Sequence, residues 1–89
     1  MLNQEIAIRN KLGLHTRAAA KVVALAAKFE SKIVLKYLER TADCKSIMAI
    51  ILLGAPKGVT LELTVTGNDE TAASDAMKKL FENRFDEPE

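Results

Sequence analysis

The chain has one histidine, His15, and the segment around it, KLGLHTRAAAK from Lys11 to Lys21, is where its residues could do chemistry. Gly13 stands two residues before the imidazole, Arg17 two after, and the alanine run that follows reads as a helix. The first N–H groups of a helix have no intrahelical partner and carry partial positive charge, so a helix start is a ready anion site. A neutral imidazole beside it offers a nitrogen lone pair for nucleophilic attack. A phosphoryl group on that ring would receive hydrogen bonds from the backbone N–H groups of Thr16 and Arg17. The Arg17 guanidinium would add a charge-assisted contact, and Gly13 would allow an unusual backbone angle in the approaching loop. The segment thus has nucleophile, anion pocket and counter-charge. A competing reading, that His15 is a solvated or capping loop residue, stays open on these residues alone.

Other chemistries find less support. His15 and the single cysteine, Cys44, are far apart in sequence and lack the ligand number and spacing of a zinc site, so no metal is expected. Nothing marks a nucleophile elbow or an oxyanion loop, and no cofactor is implied. Cys44 reads as a small packing residue that cannot form an internal disulfide, which suits a reducing compartment. A formal net charge of +1 gives no basic footprint for nucleic acid. With no signal-peptide pattern and no long apolar run, the expectation is a soluble cytoplasmic protein without membrane insertion, for which a monomer suffices.

The elements that must position these residues follow from periodicity. The 89 residues suit one domain, 1–89, whose last residues, 86–89, form a frayed acidic tail. Alternation predicts strands over Glu5–Asn10, Lys32–Leu38 and Thr60–Thr66, with a short further strand near Glu39–Asp43. A helix capped by Thr16 runs to about Phe29 and turns Ala19, Val22, Val23, Ala26 and Phe29 to the core. Ser46 caps a short helix, Ile47–Leu53, that Gly54 stops. GNDE, Gly67–Glu70, is a turn and the start of a last helix that reaches about Phe85. The order is β-α-β-β-α-β-α. Each strand has one apolar face, which predicts an α+β fold, a four-stranded antiparallel sheet with three helices on one face.

Two surfaces near His15 suit protein docking. The helix Ile47–Leu53 has no polar face, so part of Ile47, Met48 and Ile51 should be exposed, and apolar patches tend to mark partner surfaces. Ala20, Ala24 and Ala27 lie off the core face of the first helix and leave a smooth surface beside Thr16. The alternative is internal packing, or alanine present for helix propensity. Ser46 is explained by capping. As a phosphorylation site it would put a dianion at a helix start and change a docking surface without unfolding it.

GLHTRAAA at Gly13–Ala20, KSIM at Lys45–Met48 and GNDE at Gly67–Glu70 resemble the three landmarks of the HPr family, the histidine phosphocarriers of the bacterial phosphotransferase system. The resemblance extends to about Phe85. It implies an HPr-like open-faced β-sandwich, phosphorylation of His15 on Nδ1, assistance by Arg17, and modification of Ser46 by an HPr kinase/phosphorylase in some bacteria. Implied partners are Enzyme I or its nitrogen-branch counterpart as donor and EIIA domains as acceptors. They would dock around His15 and the surface formed by Thr16, Ala20, Ala24, Ala27, Ile47, Met48 and Ile51. The protein would be a covalent carrier rather than an enzyme with its own substrate pocket. Ala18 stands where many sugar-system members have proline, a change expected to keep a working site with slightly altered anion geometry. NKLGLH, TRAAAK and the FDE tail resemble proteobacterial members, including the nitrogen-branch NPr type, which leaves sugar uptake and nitrogen-branch regulation both open. A second class of function is a regulatory binding protein whose docking is switched by phosphorylation at His15 or Ser46. A third, RNA binding on a bare sheet, is opposed by the face Thr60, Glu62, Thr64 and Thr66, which offers neither stacking aromatics nor basic side chains.

Overall fold

Leu61, Leu63 and Val65 alternate with Thr60, Glu62, Thr64 and Thr66, and this period of two sets the inner and outer faces of the central strand. The computed structural model describes residues 1–88. Its elements in chain order are β1 (Leu2–Ala7), α1 (Thr16–Ala26), β2 (Lys32–Tyr37), β3 (Arg40–Asp43), α2 (Ile47–Leu53), β4 (Thr60–Thr66) and α3 (Glu70–Glu82). A short 3-10 turn, Arg84–Asp86, follows. The strands form one antiparallel sheet in the order β1-β4-β2-β3. Leu63 of β4 lies between Gln4 of β1 and Leu35 of β2, which fixes the register. All three helices cover the face carrying Ile6, Ile33, Leu35, Leu61, Leu63 and Val65. The fold is the expected α+β arrangement, with one covered and one open sheet face.

Several boundaries differ from expectation. β1 begins at Leu2 and leaves the ladder after Ala7, whereas alternation suggested Glu5–Asn10. Its start is invisible because Leu-Asn-Gln-Glu does not alternate; pairing with β4 makes it a strand. Ile8 is buried and exchanges backbone hydrogen bonds with the Gly58–Val59 loop. α1 ends at Ala26, where i→i+3 bonds from Lys28 and Phe29 tighten the chain out of the helix.

The C-terminal segment needs a larger correction. α3 stops at Glu82, and Arg84, Phe85 and Asp86 all take positive φ, at 55°, 56° and 62°. Left-handed backbone costs a non-glycine residue roughly 1–2 kcal/mol. The turn is held because it drives Phe85 into the core, fully buried and edge-on to Phe81 at a ring-centroid distance of 4.7 Å. Lys21 Nζ donates to the Phe85 carbonyl at 2.7 Å. The tail expected to fray is therefore docked through Glu87, with Asp86 3.7 Å from Lys21; Glu89 lies outside the described residues.

Candidate functional site

The loop before α1 is shaped by Gly13. Its φ is +68°, and a Cβ there would lie 2.7 Å from the Ala55 carbonyl oxygen and 2.9 Å from Pro56 Cα. Only glycine meets both demands. The close approach lets Leu14 N–H donate to the Ala55 carbonyl at 3.0 Å and buries Leu14, which delivers His15 to the start of α1.

His15, not Thr16, is the N-cap. It has extended backbone (φ −78°, ψ −177°), and its carbonyl receives the Ala19 N–H at 2.8 Å. Its Nδ1 accepts the Arg17 backbone N–H at 3.3 Å. Thr16 begins the helix and is exposed. The sequence favours Thr16 as the cap because its hydroxyl is a common one; the Gly13 turn brings the ring into that role first.

The other ring nitrogen has a distant partner. Nε2 lies 2.6 Å from Glu87 Oε2. The second oxygen of Glu87 accepts from Asn10 Nδ2 at 3.0 Å, and the same Nδ2 donates to the Gly13 carbonyl at 2.8 Å. Asn10 is fully buried. Both atoms facing its amide are acceptors, so the NH2 group must point to them. Partial burial works against the Glu87 charge, but hydrogen bonds from Asn10 and His15, with the charge of the ring when it is protonated and that of Arg17, outweigh it. They hold the carboxyl below its ordinary value. A neutral ring has one protonated nitrogen. Nδ1 accepts a backbone N–H and Nε2 faces a carboxylate that only accepts, so the network assigns the proton to Nε2.

Arg17 is exposed and, with Lys11, Leu12, Glu87 and Pro88, lines an open hollow of about 310 Å³. Ala18 is fully buried, so the residue in the frequent proline position packs into the core. Thr16, Ala20 and Ala24 are exposed along α1, as is Ala27 at its C-terminal cap. On α2, which packs beside α1, Ile47 is 38% and Met48 60% exposed, while Ile51 is half-buried. Sequence reasoning missed Leu12 and Leu52, which are as exposed as Met48. It also missed Asn10 and Glu87. Ser46 is exposed and caps α2, its Oγ accepting the Ala49 N–H at 3.3 Å. Cys44 is sealed in the core, and burial, with the Asp43 charge adding, pushes its thiol up to about 12. No cluster of His, Cys, Asp and Glu able to hold a metal occurs among the described residues.

Comparison with known proteins covers nearly the whole chain. Residues 2–83 match the family model described as PTS HPr component phosphorylation site. The chain is 48% identical over 86 residues to the phosphocarrier protein HPr of Pseudomonas aeruginosa, covering 96% of each. It is 38% identical to the phosphocarrier protein NPr of Shewanella violacea, covering 97% of this chain and 94% of that one. A crystal structure of HPr from Thermoanaerobacter tengcongensis superposes with a TM-score of 0.95 at 39% identity over the full length of both chains.

Proposed function

The chain belongs to the HPr family of phosphotransferase-system phosphocarriers, and on that premise we propose that His15 is the residue that carries the phosphoryl group, on Nδ1. The observation that supports this most is the facing of Nδ1: an unprotonated nitrogen sits at the start of α1, 3.3 Å from the Arg17 N–H. In the transfer, the Nδ1 lone pair forms the new N–P bond while the P–N bond of a donor phosphohistidine breaks. The electron pair of that bond returns to the donor ring. The Arg17 N–H that now caps Nδ1 turns to a phosphoryl oxygen, with the Thr16 N–H beside it and the helix dipole favouring the negative group. The exposed guanidinium of Arg17 closes on the same oxygens. Since one phosphoramidate is exchanged for another, the relay runs in either direction. A phosphocarrier of this kind is an intermediate, not a catalyst.

Enzyme I, or its nitrogen-branch counterpart, is the donor in this reading, and EIIA domains are the acceptors. Both meet the surface of Thr16, Ala20, Ala24, Ala27, Ile47, Met48 and Ile51, whose exposed apolar part flanks the ring. Phosphorylation of Ser46 by an HPr kinase/phosphorylase would place a dianion at the edge of that surface, beside Ile47 and Met48, and weaken docking to an acidic partner. The carrier works in the cytoplasm.

The test offers phosphoenolpyruvate with the sugar-branch donor and the nitrogen-branch donor in parallel and follows acid-labile phosphate on the chain. Rapid labelling by one donor, abolished in His15→Ala, assigns both residue and branch. Undiminished labelling of His15→Ala sinks the assignment.

A further inference from the structure

We propose that Glu87 is a positioning residue for phosphoryl transfer, and that the left-handed turn at Arg84–Asp86, anchored by Phe85, exists to hold its carboxylate on His15 Nε2. The inference rests on His15 as the phosphoryl-bearing residue and adds what prepares the ring.

Three observations converge. The carboxylate lies 2.6 Å from Nε2 and 72 residues away in sequence, so the contact is built by the fold rather than by local chain geometry. It is gripped from behind: buried Asn10 donates to its other oxygen and to the Gly13 carbonyl, which ties the tail to the loop that delivers the ring. The backbone leading to it takes positive φ at three successive non-glycine residues, a conformation that persists only when its surroundings impose it. Phe85 in the core, Lys21 on the Phe85 carbonyl and Lys21 3.7 Å from Asp86 are those surroundings.

The chemical consequence follows from the two faces of the ring. Which nitrogen is protonated is set by the partner of the other. By accepting the Nε2 proton, Glu87 leaves the Nδ1 lone pair free at the helix start. When that lone pair forms the N–P bond, the ring gains positive charge, the proton remains on Nε2, and the carboxylate faces the new charge. No proton leaves the ring in this step. A carboxylate behind an imidazole that acts through its other nitrogen has the same role in hydrolase triads and metal sites.

The variant that tests this is Glu87→Gln, which keeps the length of the side chain. Its single oxygen cannot serve both Asn10 and His15. If it turns to Asn10, its NH2 faces Nε2 and favours the tautomer protonated at Nδ1. Three quantities are measured on the full chain: the phosphoryl-acceptance rate at saturating phosphorylated donor, the donor concentration at half-maximal rate, and the ring 15N shifts of the unphosphorylated protein. The expected result is a rate about tenfold lower, an unchanged half-saturating concentration, and ring shifts moved toward the Nδ1–H form. Wild-type rate, with or without a tautomer change, overturns the inference, as does a rise in half-saturating concentration alone, which would make Glu87 a docking residue. In either case, labelling of native chain that is lost in His15→Ala leaves the carrier reading standing. Labelling that persists in His15→Ala removes both.

Discussion

α1 and α2 each begin at a residue in extended conformation whose side chain accepts a first-turn N–H, His15 Nδ1 from Arg17 and Ser46 Oγ from Ala49, both at 3.3 Å. Beyond that the two differ. Ser46 has no further side-chain partner in the hydrogen bonds described, and its surroundings, Asp43 to Ala49, are contiguous in sequence. His15 is held from two sides, with Glu87 and Asn10 behind the ring and α1 in front. Capping accounts for everything at Ser46. At His15 it leaves a buried amide, a carboxylate with both oxygens engaged and a strained turn unexplained. The comparison teaches that a functional cap is recognised by what is spent on its far side.

The substitution with the largest expected effect removes the anchor of that far side. Phe85→Ala deletes a fully buried ring that packs edge-on to Phe81, and a phenylalanine truncation of this kind costs about 3–5 kcal/mol. Without the ring the turn loses its core anchor and keeps only the polar contacts of Lys21, Asn10 and His15, so the tail should lift and take Glu87 from His15. Urea unfolding should show the loss of stability, and the ring 15N shifts should lose their preference for Nε2–H. A stability change below about 1 kcal/mol, with ring shifts unaltered, would mean that the two ends of the molecule are not coupled as argued.

Ser46→Ala gives the complementary, smaller effect. Losing a serine cap costs typically about 1 kcal/mol, and α2 covers β3 and packs beside α1, so a modest fall in melting temperature is expected. Phosphoryl acceptance by His15 should stay within about twofold of the native rate, because capping is all that the unmodified hydroxyl does. A large loss of acceptance in Ser46→Ala would break the contrast between the two caps.

The same contrast explains what the sequence could reveal. α2 and β4 have the bounds their residues announce: Ser46 and Gly54 punctuate one, strict alternation defines the other. The parts of the site lying on α1 and its loop were legible too, because Gly13, His15 and Arg17 are close neighbours in sequence. The back of the site was not. Arg84, Phe85 and Asp86 carry none of the glycine or asparagine signals of left-handed backbone, so the turn is imposed by packing. A lone phenylalanine in the polar run NRFDE was the one hint that this segment docks rather than frays. Asn10, three residues ahead of Gly13, was a turn signal, but its bond to Glu87 depends on a contact 77 residues away.

The smallest effect separates the two caps by pH. Glu87 titrates below its ordinary value because its partners favour the ionised form over the cost of partial burial. A carboxyl whose folded value is depressed adds stability that is fully present above the unfolded value and is lost as pH falls through the folded one. Glu87→Gln cannot titrate, so the melting-temperature gap between it and the native chain should be widest above the ordinary glutamate range and should shrink as pH falls below it. The Ser46→Ala gap should stay level over the same range, since a hydroxyl neither gains nor loses a proton there. Thermal melts of the three proteins from about pH 6 to about pH 3 bracket the ordinary glutamate value. If the Glu87→Gln gap stayed as level as that of Ser46→Ala, the carboxylate would be contributing shape rather than charge behind His15.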